Sequence, residues 1–176
     1  MLTVLLAQLG GCVCAPSQAP ETPTPNHAQV RAAVERTQDL ELAHWTESED
    51  SYVLRPSDKA PELVHHSLYL LVPLGTSQPM SVALVDGASG TWITSGHAQG
   101  TSEVLATEPQ LSAQEVPALA FELLREHSRH QSLESGLAVQ GDAGWELTLE
   151  VLNEGSPEQW RLKPAGPFST LERVRP

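Results

Sequence analysis

Trp145-Glu146-Leu147-Thr148-Leu149-Glu150-Val151 alternates apolar and polar side chains without a break. Successive side chains of an extended chain point to opposite faces, so this order buries Trp145, Leu147, Leu149 and Val151 and turns Glu146, Thr148 and Glu150 to water. A strand of this kind belongs to a sheet with one covered and one solvated face, the usual state of antiparallel sheets. Gly136 to Gln140 precedes it across a Gly141-Asp142-Ala143-Gly144 turn. Gln159 to Lys163 follows, with Arg161 and Lys163 expected to face Glu146 and Glu150 across a hairpin. After Pro164-Ala165-Gly166-Pro167, Phe168 to Val174 reads as a last strand.

Upstream the period changes. Ser112 and Glu115 form a capping box, and Leu111 is placed to staple onto Val116. Val116, Leu119, Ala120, Leu123, Leu124 and His127 then make a helical stripe, predicted to end near Arg129 and His130, whose positive character suits a helix C-terminus. Pro117 perturbs its first turns. Ser51 to Arg55, His66 to Val72 and Ser81 to Val85 are short apolar runs punctuated by Pro and Gly, and Asp86-Gly87-Ala88-Ser89-Gly90 is a hairpin turn returning Thr91-Trp92-Ile93-Thr94. Asn26 and Gln29 can cap a helix predicted over 27–44, with Val30, Ala33, Val34, Thr37 and Leu40 on one face. Helix then strands thus occurs twice, the pattern an internal duplication would leave. The expected fold is α+β: two helix-plus-antiparallel-strand halves, 27–110 and 111–176, packed as one compact domain.

Each half resembles the PepSY modules of exported bacterial proteins. The likeness rests on Val85-Asp86-Gly87-Ala88-Ser89-Gly90-Thr91-Trp92, which is similar to the Asp-x-x-Thr/Ser-Gly turn that ends such a module. The second half has Lys163-Pro164-Ala165-Gly166 there, without the Asp. The resemblance implies a binding or inhibitory module rather than an enzyme.

The N-terminus carries an address. Leu2, Val4, Leu5, Leu6 and Leu9 form an apolar run, and Leu9-Gly10-Gly11-Cys12 resembles the lipobox of bacterial lipoproteins. The resemblance implies that residues 1–11 are a signal peptide and that Cys12 is the lipid attachment site. No Lys or Arg precedes the run, and the eleven residues before Cys12 are fewer than the roughly 15–30 of a usual secretory signal; a start further upstream would account for both. Residues 12–26, with Pro16, Pro20, Pro23 and Pro25, read as a tether, about twelve residues of which reach on the order of 35 Å at about 3.1 Å each. Val13, where an Asp would favour retention at the inner membrane, makes the outer membrane the expected location.

Ten Lys and Arg stand against twenty-two Asp and Glu, a formal net charge of −12 with no basic cluster, which argues against nucleic acid as a partner. No apolar run reaches the roughly 18–20 residues of a membrane span, so membrane contact is expected through the lipid alone. Cys12 and Cys14 are the two cysteines, too few for a disulfide framework. No Gly-rich phosphate loop with a following Lys occurs, and no cofactor is expected. The four tryptophans, Trp45, Trp92, Trp145 and Trp160, are expected as core and sheet anchors.

Two functions follow. The first is a membrane-anchored extracytoplasmic lipoprotein acting as a non-catalytic binding, assembly or inhibitory module, with an envelope protein as partner. The alternative is a metal-dependent hydrolase. His127 and His130 lie three apart beside Glu126, a spacing that can converge on one ion, and His65, His66 or His97 would supply a third ligand. The sharper His-Glu-x-x-His pattern is absent, and Gly87-Ala88-Ser89-Gly90 does not match a Gly-x-Ser-x-Gly nucleophile turn.

Overall fold

The computed structural model describes residues 23–58, 61–75, 81–127, 129–165 and 168–175. The expected signal peptide, Cys12, Cys14 and most of the expected tether lie outside the described residues. At the end of that tether Pro25 is buried and Asn26 caps a helix, so these two residues belong to the folded body.

The expected α+β fold is observed. The first half runs α1 (His27–Thr37), α2 (Leu40–Trp45), a 3-10 turn (Glu49–Ser51), then β1 (Tyr52–Pro56), β2 (His66–Pro73), β3 (Val82–Gly87) and β4 (Gly90–Ile93). The second repeats that order: α3 (Ala98–Thr107), α4 (Val116–Leu124), β5 (Gln131–Gly141), β6 (Gly144–Asn153), β7 (Ser156–Ala165) and β8 (Phe168–Val174). Each set of four strands is an antiparallel meander in sequence order.

Burial explains why the two sheets read differently in the sequence. Val82, Ala83, Leu84 and Val85 are all buried: Val82 and Leu84 pack with Val30, Val34, Leu42 and Trp45 of α1 and α2, whereas Ala83 and Val85 pack with α3 and α4. A strand covered on both faces is an unbroken apolar run. β6 has one covered face, and Trp145, Leu147, Leu149 and Val151 are buried there while Glu146 and Glu150 are exposed. The layers are therefore α1 and α2, first sheet, α3 and α4, second sheet. α4 is apolar on nearly every side because it lies between two sheets.

Several expectations are corrected. The single helix over 27–44 is two, because Gln38 adopts a left-handed conformation (φ 57°) and Asp39 starts a new helix by accepting from the backbone N–H groups of Glu41 and Leu42. The Ser112–Glu115 contact forms, with the Ser112 N–H and hydroxyl donating to Glu115 at 3.0 and 2.6 Å, but it closes a turn ahead of α4 instead of capping it. Pro117 sits in the opening turn of α4, where its missing N–H costs nothing. That helix ends at Leu124, so His127 and His130 do not share a helical face.

α3 packs on α4 and on β6, β7 and β8, placing the junction of the halves between Ile93 and Ala98. On the outer face of the second sheet, Arg161 lies opposite Thr148, and Glu150 lies opposite Gln159, which donates to it at 2.7 Å. Arg161 is thus one step off the register expected from charge alone.

Candidate functional site at the junction of the halves

A cleft of about 840 Å³ opens where the first half hands over to the second. Local chemistry shapes each wall. On one side α1 stops at Gln38, and the Asp39 cap of α2 sets a carboxylate at the rim. On the other, the chain leaves β4 through Ser95 and Gly96, which is left-handed at φ 70°. Both are tied to the end of α4, the Ser95 hydroxyl donating to the Arg125 carbonyl at 2.6 Å and the Gly96 N–H to the Leu124 carbonyl at 3.1 Å. His97 then caps α3, its Nδ1 accepting the Gly100 N–H at 3.2 Å, so that nitrogen carries no proton.

The floor is Trp92, pressed so tightly against α3 that a Cβ on Gly100 would stand 2.3 Å from the indole. His127, on the segment after α4, closes the far end. Its ring meets Trp45 edge to face at 5.3 Å, and its Nε2 lies 3.6 Å from Asp39 and 3.7 Å from Glu41. The cleft is thus lined by an indole, two imidazoles and the carboxylates of Asp39, Glu103 and Glu126, with Arg36 reaching across to donate to the Thr91 carbonyl of β4. Glu126 is held by Arg173 and by Arg129.

Asp86, Glu108, Glu122 and Glu158 are buried outside the cleft, and two of them, Glu108 and Glu158, each gather three or more hydrogen bonds. Glu108, just beyond α3, is 1% exposed and accepts four hydrogen bonds. They come from the backbone N–H groups of Val64 and His65 at 2.7 and 2.9 Å, His66 Nδ1 at 2.7 Å and Gln110 at 2.8 Å. Burial pushes this carboxyl up, but the hydrogen bonds from Gln110, Val64, His66 and His65 outweigh it and hold its pKa below the ordinary value. An ionised carboxylate only accepts, so His66 Nδ1 carries the proton. Glu158 on β7 is treated likewise: burial raises it, and donors from Trp160, Asn153 and Arg175 lower it further, leaving the net shift downward. Both groups are structural clamps, Glu108 fastening the segment before β2 to the end of α3.

The histidines are thereby divided. His97 and His127 line the cleft, His66 serves Glu108, and His130 lies at a separate shallow cavity with Gln131, Ser132 and Leu152. Among the described residues no group of three or more His, Cys, Asp or Glu side chains is placed to hold a metal ion. Cys12 lies outside the described residues. Of the tryptophans, Trp160, Trp145 and Trp45 are buried, and Trp92 both packs against the core and lines the cleft.

Sequence reasoning missed α3, Glu108 and the role of Asp39. Asp39 did carry a signal, being a preferred capping residue in the middle of an expected helix. Glu108 carried none, because a lone Glu beside Pro109 reads as solvated surface. A scan of protein-family models gave no match to the chain, nor did searches of curated proteins and of solved structures.

Proposed function

We propose that the chain is a lipid-anchored extracytoplasmic protein whose folded body binds a partner of the cell envelope without catalysing a reaction on it. The observation that carries the binding half of this reading is the cleft of about 840 Å³ between the two halves. Clefts at the junction of structural units are where ligands are most often held. The groups lining it offer a flat aromatic floor, hydrogen-bonding imidazoles and carboxylates, and a strand edge, which together suit recognition. The anchoring half is supported by Leu9-Gly10-Gly11-Cys12 and by the Pro-rich stretch after it, which is long enough to hold the body away from a bilayer.

The two halves are tested separately. Metabolic labelling with a fatty-acid analogue tags the native chain and not Cys12→Ser; a mature chain that is unlabelled and retains Met1 overturns the anchor. For binding, a photo-crosslinking residue is placed at Gln99 in the cleft wall and, as a control, at Glu150 on the solvated face of the second sheet. A discrete adduct from position 99 alone supports the cleft as the binding site, and adducts from 150 alone reject it.

A further inference from the structure

β4 is an edge strand: among the described residues it pairs with β3 and with nothing on its other side. The register decides which of its backbone groups are free. Gly87 pairs with Gly90, Val85 with Trp92, and the Thr94 N–H donates to Ala83 at 3.2 Å, so residues 90, 92 and 94 point their amides into the ladder. Thr91 and Ile93 therefore point theirs outward. Arg36 donates to the Thr91 carbonyl, as that orientation requires, and thereby blunts part of the edge. The Ile93 N–H and C=O point away from β3, and Ile93 is among the residues lining the cleft.

We infer that this edge receives an extended, basic peptide segment of a partner protein as an added strand. The inference rests on the binding reading above and names its partner class. An exposed strand edge is satisfied by another strand, with main-chain hydrogen bonds giving affinity and flanking pockets giving side-chain preference. Here the flanks are acidic. Asp39 and Glu103 line the cleft, Glu41 stands beside His127, and Glu126 has Arg173 and Arg129 already, while Arg36, the cation within the lining, is committed to Thr91. The whole chain carries −12, so approach of a cationic segment is favoured at long range as well. Trp92 on the floor can lie along the alkyl stem of a Lys or Arg. With the Thr91 carbonyl taken by Arg36, the open part of the edge runs from Trp92 to Thr94, about 10 Å at about 3.3 Å per residue, enough for about three residues of the incoming strand.

The probe is an acetylated, amidated peptide of alternating Lys and Val, compared with its N-methylated counterpart and with a Glu and Val peptide of equal length. Each is titrated into the full chain and followed by amide shifts of Gly90 to Ser95. The Lys peptide is expected to saturate and to shift the Thr91 and Ile93 amides, and the N-methylated and Glu peptides to bind at least about tenfold more weakly. Ile93→Pro removes the outward N–H while leaving the β3 ladder its donors, and should abolish binding. Should that variant unfold, Glu103→Lys, a change on the exposed side of α3, still has to weaken the Lys peptide at least about threefold.

Equal binding of the N-methylated peptide overturns strand addition, and absence of saturation by any peptide does the same. Self-association that is lost in Ile93→Pro, or binding of the probe only after the chain's own N-terminal tail has been removed, overturns the partner peptide as occupant. If the peptides fail while the crosslinker at position 99 still traps a partner, strand addition falls and the binding reading stands.

Discussion

Replacing Glu108 should be among the most damaging single changes in this chain, although sequence patterning assigns the residue to no element. Its carboxylate is 1% exposed and accepts from Val64, His65, His66 and Gln110. In Glu108→Ala, Gln110 can turn to solvent, but the Val64 and His65 N–H groups, carried on exposed residues yet aimed at the buried carboxylate, lose their acceptor. At about 1–3 kcal/mol for each unpaired donor, plus the lost charged bond to His66, the expected cost is about 4 kcal/mol. That is a large part of the roughly 5–15 kcal/mol a domain of this size has. Glu108→Gln keeps one acceptor oxygen, enough for His65 and His66, and opposes the Val64 N–H with its own amide, for a cost of about 2 kcal/mol.

The pH dependence follows from the sign of the shift. The folded pKa of Glu108 lies below its unfolded value, so its contribution is complete above the ordinary carboxyl range and disappears as pH falls through the folded pKa. Glu108→Gln should therefore lose more stability at pH 7 than at pH 3, and its acid arm should be flatter than the wild type's. Glu158 and Glu115, lowered as well, should keep that arm from vanishing. Urea unfolding followed by tryptophan emission across that range measures both quantities. A loss below about 1 kcal/mol in Glu108→Ala would mean that water replaces the carboxylate, and the clamp argument would be wrong.

Three further outcomes are expected. Gly100→Ala should destabilise by about 1–3 kcal/mol despite alanine's better helix propensity, because the new Cβ would stand 2.3 Å from the Trp92 ring; thermal melting and near-ultraviolet circular dichroism report it, and a raised melting temperature would contradict the packing. Gln38→Gly should stabilise by up to about 1 kcal/mol, since φ of 57° is unstrained for glycine, and a destabilised variant in urea melts would show that the Gln38 side chain matters more than its backbone. Arg173→Ala should cost about 1–2 kcal/mol, losing both the Glu126 ion pair and a guanidinium 4.5 Å from the Trp160 ring centre; the difference from wild type should shrink in high salt without vanishing, and complete loss of the difference would assign it all to the ion pair.

What was legible in the sequence follows the physics of exposure. β6 was legible because one face meets water, so Glu146 and Glu150 had to alternate with Leu147 and Leu149. α3 was not, because its inward face is built from Gly100 and Thr101 beside Val104 and Leu105, and its cap is His97, not a Ser, Thr, Asp or Asn. Small residues that admit a neighbour's indole leave no apolar stripe to read. The extent of α4 was overread for the opposite reason. His127 continues the spacing of Val116, Leu119 and Leu123, yet the chain has turned at Arg125 (ψ 145°), and His127 packs half-buried against Trp45 from a different direction. The cleft was not legible: its strand edge, acidic rim and clamped walls depend on register and capping that periodicity does not carry.

The layer of α3 and α4 serves two sheets, and this shapes how the polypeptide can be made. When synthesis has reached residue 95, every strand of the first sheet exists, yet Leu68, Ala83 and Val85 have nothing to cover one side of them. Residues 98–124 supply the cover, but Leu119, Leu123 and Leu124 cannot be satisfied from that side alone and wait in turn for Trp145, Leu149 and Trp160. A nascent chain should therefore stay soft until its final strands leave the ribosome, and one released at residue 110 should clump. Such lateness is an advantage to any polypeptide that must be threaded through a narrow pore before it may become solid.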